Sequence, residues 1–279
     1  MTGEPAPVAP DDRVRFGIIG LGRIGRRLAT RLSGDAEAPN LAAVLVRPEQ
    51  RDTAYALVGA ARVCTSIHEF LERHLRVAAE CASAASLGAH GPALLAAGID
   101  VIPLSLGAFA DEAVEASLLQ AARAGPGRME LPAGAMGSLG FLAAAREDGL
   151  SRVRFRAAYP VARWRRMGAA ARLPEPDRIA EPVVFFKGTV REVLRAFPGH
   201  LNVAAGVALA GLGLDHTEAE LVADPRLSQA TFEVEASAAP GAITLRVGGR
   251  DVPVEADPID YTTFSVIRLL RRRQAFLKV

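Results

Sequence analysis

The sequence predicts an α/β protein: a doubly wound parallel sheet followed by a smaller α+β domain. Two patterns carry this prediction. Between about residues 14 and 132, short apolar runs alternate with helical runs, which is typical of a parallel sheet with helices on both faces. After about residue 150, strand-like segments and two helices follow one another without that alternation, which indicates a separate α+β unit.

The first apolar run, at residues 14–19, leads into Gly20, Gly22 and Gly25 and then into an amphipathic helix. A strand, a G-x-G-x-x-G turn and a helix in this order form the fingerprint of a Rossmann-type dinucleotide-binding domain. The glycines allow a sharp turn, a close approach of backbone N–H groups to a pyrophosphate, and tight helix packing. A glycine-rich turn without a ligand is the alternative, which the flanking strand and helix disfavour. The cofactor-binding residues predicted here are Gly20, Gly22, Arg23, Ile24 and Gly25.

Further strands of the parallel sheet are predicted at residues 41–46, 77–82, 101–105 and 128–132. Helices are predicted between them, at residues 87–97 and 107–124. Ligands of doubly wound sheets lie outside the carboxyl ends of the strands. The loops at those ends are therefore expected to line the nicotinamide half of the cofactor, and the predicted contacts are Ala82, Ser105, Gly107 and Ala133.

Arg47 stands just after the second strand, with Arg51 close behind. An acidic residue at this place usually holds the adenosine ribose hydroxyls, and it would repel a 2′-phosphate. An arginine can instead pair with that phosphate. We therefore predict that Arg47 binds the cofactor and that NADP is at least tolerated beside NAD. The alternative is that Arg47 is a solvated loop residue.

Composition limits the classes of partner. The chain has 279 residues, half of them hydrophobic, and a formal net charge of only +2, which gives no footprint for nucleic acid or an anionic membrane. The arginines at 268–273 are interpreted as the charged face of a terminal helix over residues 261–273.

No apolar segment reaches the ~18 residues that span a bilayer. Cys64 and Cys81 have neither metal nor disulfide spacing, so we predict no metal site and a reducing, cytoplasmic location. Residues 1–13 are interpreted as a disordered lead-in and not as a signal peptide.

The domain boundaries follow from these patterns. We predict a dinucleotide-binding domain at residues 1–134 and an α+β substrate domain at 135–257, with a C-terminal helix within 258–279 that packs back on the first domain. Strands of the second domain are predicted at residues 151–160, 182–187, 218–224, 231–237 and 242–248, with helices at 189–197 and 202–212. The substrate pocket is expected where the two domains meet.

Several motifs beyond the glycine turn occur in order along nearly the whole chain. They are Glu80-Cys-Ala, Ser105-Leu-Gly-Ala-Phe-Ala-Asp111, Leu131-Pro-Ala-Gly-Ala-Met-Gly137, Tyr159-Pro-Val-Ala-Arg-Trp164, Phe185-Phe-Lys-Gly, Phe197-Pro-Gly-His-Leu-Asn-Val-Ala-Ala205, Ala210-Gly-Leu-Gly-Leu-Asp215 and Leu221-Val-Ala-Asp-Pro225. Together they resemble the L-aspartate dehydrogenase family. The resemblance implies a cytoplasmic homodimer, dimerising through its second domain, that transfers hydride between NAD(P) and the Cα of an amino acid. In reverse this is reductive amination of oxaloacetate with ammonia. The resemblance also places Ala135 and Asn202 at ligand-contacting positions.

The chain departs from the family pattern at several places. After Ala-Asp-Pro the family has Asn-x-His-Glu, whose histidine is catalytic, whereas here Ala230 and Phe232 take the asparagine and histidine positions. Where the family has Lys-Pro before the tryptophan, this chain has Tyr159-Pro160. Where the family has Phe-Pro-Lys-Asn, this chain has Phe197-Pro198-Gly199-His200. Near the end, Asn-Pro-Lys-Thr-Ser becomes Asp-Pro-Ile-Asp-Tyr at residues 257–261.

These departures change the expected chemistry. Forming an imine from a keto acid and ammonia needs a group that titrates near neutrality, a task suited to histidine. A dicarboxylate also needs cations or aimed donors. The predicted pocket is more aromatic and less cationic, so we expect a substrate other than L-aspartate. The candidate catalytic residues are His200, Tyr159 and Asn202. His200 is either a replacement proton shuttle or an exposed histidine bonded to backbone, and Tyr159 is an alternative donor.

Two functional hypotheses remain open at this point. The first is an NAD(P)-dependent amino acid dehydrogenase or imine reductase acting on a C=N or C=O bond of an amino acid, oxo acid or imine. A preformed imine would need only hydride and one proton, so the loss of the histidine would be tolerable. The second is an NAD(P)-binding sensor or partner subunit without turnover. The intact glycine turn favours the enzyme, and the missing histidine favours the sensor.

Overall fold

The computed structural model describes residues 13–33, 35, 38–147, 149–174, 178–239, 241–249 and 261–278. The lead-in at residues 1–12 and the departure from the family motif at 257–260 lie outside them. None of the helices in the described ranges has both the length and the apolar character that crossing a bilayer requires.

The first half of the chain forms the parallel sheet. Its elements in chain order are β1 (Arg15–Ile19), α1 (Arg23–Leu32), β2 (Asn40–Leu45), α2 (Arg51–Val58), β3 (Val63–Cys64), α3 (Ile67–Leu71), β4 (Val77–Glu80), α4 (Ala84–Ala96), β5 (Asp100–Pro103) and α5 (Glu112–Ala124), with 3₁₀ turns at Pro48–Gln50, Ala60–Arg62 and Leu106–Ala110. The strand order is β3-β2-β1-β4-β5, and all the pairs are parallel. The prediction of a doubly wound parallel sheet is confirmed.

The second half forms a mixed sheet. Its elements are α6 (Leu139–Arg146), β6 (Arg152–Tyr159), α7 (Val161–Arg166), a 3₁₀ turn (Ala170–Arg172), β7 (Val183–Thr189), α8 (Val190–Ala196), α9 (Asn202–Ala210), β8 (Glu218–Ala223), β9 (Thr231–Ala238), β10 (Gly241–Gly248) and the terminal α10 (Tyr261–Arg272). The strand order is β10-β9-β6-β8-β7, parallel only between β6 and β8. The prediction of a second α+β unit is confirmed.

One predicted strand was wrong, and several short elements were missed. Residues 128–132 do not form a strand, because they make only an isolated parallel bridge between Val101 and Met129 before the chain reaches Pro132. Proline has no N–H to extend a ladder. The strand β3 was missed because two residues are too few to show a periodic pattern. The helices α6 and α7 also lie where no helix was predicted.

Two buried clusters hold the fold together. The first lies between one face of the parallel sheet and the helices α1 and α10, and it includes Phe16, Leu28 and Leu270. The second continues from the other face of that sheet to the inner face of the mixed sheet, joining Leu94 to Phe155. A continuous apolar core therefore connects the two sheets, and the boundary between them is positioned by packing.

The arginine-rich end of α10 binds acidic groups of the first half of the chain. Arg273 donates to Asp100 at 2.6 Å and to Glu130 at 2.9 Å, and Arg271 donates to Asp35 at 2.7 Å. Buried residues such as Val266 on the opposite face of α10 join the cluster around α1. The charged face of this helix is thus engaged in ion pairs within the chain.

Arg191 on α8 links the two halves of the chain. Its guanidinium donates to Asp215 at 2.6 and 2.8 Å, to Glu115 on α5 at 2.7 Å, and to the Phe109 carbonyl at 2.8 Å. The Arg191 side chain is only 7% exposed. The hydrogen bonds that Arg191 donates, together with its positive charge, hold the pKa of the Asp215 carboxyl below the usual value. One turn later, Arg195 makes a similar contact with Glu112, but its side chain is 54% exposed.

Replacing Arg191 with methionine is expected to lower the free energy of unfolding by about 3 kcal/mol, since Glu115 and the Phe109 carbonyl lose a buried partner. Replacing Arg195 with methionine on the same helix is expected to cost less than about 1 kcal/mol, because exposed ion pairs contribute little. Urea unfolding of the two variants beside the wild type measures both. Equal losses would mean that burial of Arg191 has no special role in joining the halves.

Candidate active site

The glycine turn between β1 and α1 has the shape that a bound phosphate requires. Gly20 has a φ of +87°, and a Cβ there would lie 2.7 Å from the Cβ of Ala82. A Cβ on Gly25 would lie 2.1 Å from the Gly20 carbonyl oxygen, so neither position tolerates a side chain. A Cβ on Gly22 would meet no heavy atom within 4 Å. The open space beside Gly22, at the amino end of α1, fits a pyrophosphate.

The residues predicted to flank that phosphate site lie at the same edge. Arg23 is exposed at the first turn of α1, and Ile24 is half-buried against the cluster beneath it. Arg47 follows β2 and its side chain is 73% exposed, with an ion pair to Glu49 at 3.2 Å. The Arg47 guanidinium is therefore held only by an exposed pair and is able to turn toward a ligand.

A buried carboxylate organises the ends of β4 and β5. Glu80 is 1% exposed, and its Oε1 accepts hydrogen bonds from the Ala82 and Ser83 N–H groups at 2.8 and 2.9 Å and from the Ser105 hydroxyl at 3.1 Å. Its Oε2 accepts from the Ser105 N–H at 3.1 Å. Burial raises the pKa of Glu80, and these hydrogen bonds oppose the rise. Ala82 and Ser105 were predicted to contact the cofactor, and Glu80 is the residue that fixes both.

A cavity of about 270 Å³ lies between the two sheets. Its lining is mostly apolar, and it brings together residues predicted from distant motifs. The lining residues are Pro103, Leu104, Leu106, Pro132, Ala133, Gly134, Ala135, Leu139, Tyr159, Leu201, Asn202, Val203, Gly206, Phe232 and Thr262. Among the predicted site residues, Ala133, Ala135, Tyr159, Asn202 and Phe232 therefore share one cavity.

Asn202 begins α9 and is held by the first half of the chain. Its Oδ1 accepts a hydrogen bond from the Gly107 N–H at 2.8 Å, and Leu201 before it has a φ of +60°. Because the backbone N–H of Gly107 can only donate, the Asn202 side-chain atom that faces it must be the oxygen. The side-chain NH₂ group of Asn202 then remains as a donor. Asn202 can thus donate to an acceptor in the cavity.

Phe232 and Tyr159 form one aromatic wall of the cavity. Phe232 lies opposite Ala157 in the antiparallel β6–β9 pair, so its ring shares a face with Tyr159 and Phe155. The ring centroids of Phe232 and Tyr159 are 5.7 Å apart at 82°, and those of Tyr159 and Trp164 are 4.9 Å apart at 79°. Burial raises the pKa of Tyr159 to about 12.

The lining residues that the structure describes include no lysine, arginine or histidine. His200 is exposed and does not line the cavity. Its backbone N–H donates to the Phe197 carbonyl at 3.1 Å. Arg163 lies over the Tyr159 ring with 5.7 Å to the centroid. Among the described lining residues there is thus no cation to pair with a carboxylate.

Some residues of this site were missed by sequence reasoning. Thr262 on α10 lines the cavity, and Ser265 one turn later accepts a hydrogen bond from the Gly134 N–H at 3.1 Å. These positions carry no local pattern, since a helix about 130 residues away supplies them. Glu80 had a detectable signal: an acidic side chain at the end of an otherwise apolar strand.

Comparisons with known proteins identify the family. Residues 141–273 match the family model described as aspartate dehydrogenase, C-terminal, and residues 20–132 match that described as homoserine dehydrogenase, NAD binding domain. The chain is 36% identical over 267 residues to L-aspartate dehydrogenase of Ruegeria pomeroyi, covering 96% of this chain and 95% of that protein. It is 35% identical over 260 residues to L-aspartate dehydrogenase of Ralstonia pickettii, covering 92% and 96%. The chain belongs to the aspartate dehydrogenase family.

A solved structure supports the fold of this family member. Aspartate dehydrogenase from Thermotoga maritima superposes with a TM-score of 0.73 at 22% identity, covering 95% of this chain and 98% of that one. The predictions of the family, the Rossmann-type fold and NAD(P) as cofactor are confirmed. This aspartate dehydrogenase family member is thus an NAD(P)-dependent oxidoreductase, and the glycine turn is the element that fits the cofactor phosphates.

Proposed function

We propose that this oxidoreductase reduces the C=N bond of an imine or imino acid that is less acidic than the imine of aspartate. The observation that carries the proposal is the lining of the cavity. Phe232 and Tyr159 stand where the resemblance places a catalytic histidine and a lysine, and no cation lies among the described lining residues. Two carboxylates in this cavity would lack charged partners, which is costly in an apolar site.

The aromatic wall suits a substrate that arrives as an imine. The bound nicotinamide supplies the hydride to the imine carbon, and one proton completes the amine nitrogen. A protonated imine already carries that proton, and its positive charge is attracted to aromatic rings such as Phe232 and Tyr159. Such a substrate needs no group to handle the water released when ammonia adds to a keto acid. The loss of the histidine is therefore compatible with turnover.

Tyr159, Asn202 and Thr262 are the hydrogen-bonding side chains in the described lining. With a pKa raised to about 12, the Tyr159 hydroxyl stays protonated at neutral pH; it can donate to a neutral imine nitrogen, and its oxygen can accept from a protonated imine. The Asn202 amide N–H groups are left free of Gly107 and can orient either the substrate or the nicotinamide amide. In this proposal His200, exposed and outside the lining, takes no part in proton transfer.

Replacing Tyr159 with phenylalanine is expected to lower kcat/KM for an imine substrate by about 10- to 100-fold, because one hydrogen bond to the reacting group is lost while the ring packing is kept. Replacing His200 with alanine is expected to change kcat/KM by less than about twofold. Steady-state rates of both variants measure this. A large loss in the His200 variant with none in the Tyr159 variant would reverse the assignment.

The proposed reaction is tested with a substrate panel. Purified protein and NADPH are mixed with preformed cyclic imines, and separately with ammonia and either oxaloacetate or less acidic oxo acids, while NADPH absorbance is followed. We expect the imines to be reduced fastest and oxaloacetate slowest. Faster turnover of oxaloacetate than of the imines and other oxo acids would contradict the proposal and indicate that L-aspartate is the amino acid of the reaction. Tight NADPH binding without turnover of any compound would favour the non-catalytic sensor.

We further propose that NADP is at least tolerated beside NAD and that Arg47 binds its 2′-phosphate. Replacing Arg47 with alanine is expected to raise KM for NADPH about tenfold and leave KM for NADH unchanged, because only NADPH carries the 2′-phosphate that the guanidinium pairs with. Replacing Glu49 with glutamine removes the competing ion pair, so it should lower KM for NADPH slightly. Steady-state titrations with both nucleotides measure this, and an unchanged preference in the Arg47 variant would refute the role.

We also propose that the protein acts in the cytoplasm as a homodimer joined through the outer face of the mixed sheet. That face carries arginines on β6 beside glutamates on β8 and β9, such as Arg152 paired with Glu218 at 2.7 Å. Across a two-fold axis, the arginines of one copy can face the glutamates of the other. Both cysteines are free thiols, which suits a reducing compartment. Light scattering tests the dimer, and cell fractionation tests the location.

A further inference from the structure

The Glu80 side chain is a buried carboxylate that accepts four hydrogen bonds, three of them from backbone N–H groups. The groups within hydrogen-bond distance are the N–H groups of Ala82, Ser83 and Ser105 and the Ser105 hydroxyl. A backbone N–H cannot accept a hydrogen bond, so of these four contacts only the Ser105 hydroxyl could accept one from a protonated carboxyl, whereas an ionised carboxylate accepts all four. This arrangement fits the ionised form. In the described ranges no ion pair to Glu80 occurs, so its negative charge has no cationic partner there.

Glu80 is linked to the cavity through Ser105. Ser105, which donates twice to Glu80, stands between Leu104 and Leu106, and both of those residues line the cavity. The Leu104 N–H also donates to the Glu80 carbonyl at 3.0 Å. On the other side, Ala82 meets Gly20 of the phosphate turn. The Glu80 carboxylate therefore lies between the site that fits the pyrophosphate and the cavity that would receive the nicotinamide.

We propose that Glu80 is a positioning residue for the nicotinamide cofactor and that its unpaired charge favours the oxidised cofactor over the reduced one. The oxidised nicotinamide ring carries a positive charge, and the reduced ring is neutral. Hydrogen bonding to Glu80 fixes the loops at the ends of β4 and β5 for both forms alike. Its electrostatic attraction acts only on the oxidised ring. The inference rests on nucleotide binding alone and does not depend on the substrate proposed above.

The expected size follows from Coulomb's law. Opposite unit charges about 10 Å apart, at an effective dielectric constant of about 20, change an equilibrium constant by roughly tenfold. A tenfold change in the ratio of the dissociation constants of NADP⁺ and NADPH shifts the midpoint potential of the bound two-electron couple by about 30 mV. This effect is large enough to separate from errors in titration.

The experiment measures the Kd of NADP⁺ and of NADPH separately, by calorimetry and by the fluorescence of Trp164, the single tryptophan of the chain. In Glu80→Gln we expect the ratio Kd(NADP⁺)/Kd(NADPH) to rise roughly tenfold. Glu80→Asp keeps the charge with altered hydrogen bonding, and Ser105→Ala removes one donor while keeping the charge. In both of these controls we expect the Kd of NADP⁺ and the Kd of NADPH to rise by the same factor, so that their ratio is unchanged.

Two outcomes would overturn the proposal. If Glu80→Gln weakened NADP⁺ and NADPH equally, Glu80 would have a structural role only. The wild-type protein gives a second check that does not require any variant to fold. We expect it to bind NADP⁺ at least as tightly as NADPH, and a tenfold or greater preference for NADPH would contradict the proposed bias. A failure of every imine in the substrate panel would leave these binding measurements unaffected.

Discussion

Replacing Gly22 with aspartate is expected to abolish binding of NADP⁺ and NADPH, with a loss of affinity of at least about 100-fold. Gly22 is the N-cap residue of α1, and a side chain there would enter open space at the amino end of the helix. That space fits the cofactor pyrophosphate, so an aspartate would both occupy it and repel the phosphates. The measurement is the Kd of each nucleotide by calorimetry.

The fold should survive this change. The φ of Gly22 is −70°, which any residue adopts, and aspartate is a favourable N-cap residue. We therefore expect the free energy of unfolding to stay within about 0.5 kcal/mol of the wild-type value or to rise slightly. Gly22→Ala is the uncharged control and should weaken binding less. A Gly22→Asp protein that binds NADPH within tenfold of the wild type would show that the phosphates bind elsewhere.

Replacing Phe232 with histidine is expected to raise kcat/KM for reductive amination of oxaloacetate by about 100-fold. General acid–base catalysis contributes about 10²- to 10⁴-fold, and the lower end applies because the described lining offers no cation for a dicarboxylate. Phe232 lines the cavity at the second position of β9 and is only half-buried, so an imidazole can replace its ring there. The rate of NADPH oxidation with oxaloacetate and ammonia measures the gain.

The same change should not speed the reduction of a preformed imine, because that reaction does not require release of water. Phe232→Gln is the matched control, since glutamine is polar but does not titrate near neutrality. Adding Tyr159→Lys to Phe232→His should raise the oxaloacetate rate further by supplying a cation. If Phe232→His and Phe232→Gln had equal rates with oxaloacetate, the missing histidine would not be what limits this reaction.

Local patterns predicted most of the secondary structure and several residues that line the cavity. The strand before Gly20 and the amphipathic helix after it were both readable, because each element buries one face with its own period. The weak points were short elements such as β3, and the segment at residues 128–132, where apolar composition suggested a strand that Pro132 does not continue. Motif spacing also identified Phe232 and Tyr159 as departures from the family before their positions were known.

The sequence by itself determined the cofactor class and the parallel sheet, since these depend on residues close together in the chain, and it predicts that a phenyl ring replaces an imidazole. Only the tertiary structure decided that Phe232 and Tyr159 form one wall, because the register of β6 with β9 sets their distance. It also placed His200 outside the cavity and brought Thr262 into it. It also brought Glu80 against Ser105, which lies 25 residues further along the chain. Such contacts depend on how the elements pack in space, and no pattern within a single element encodes them.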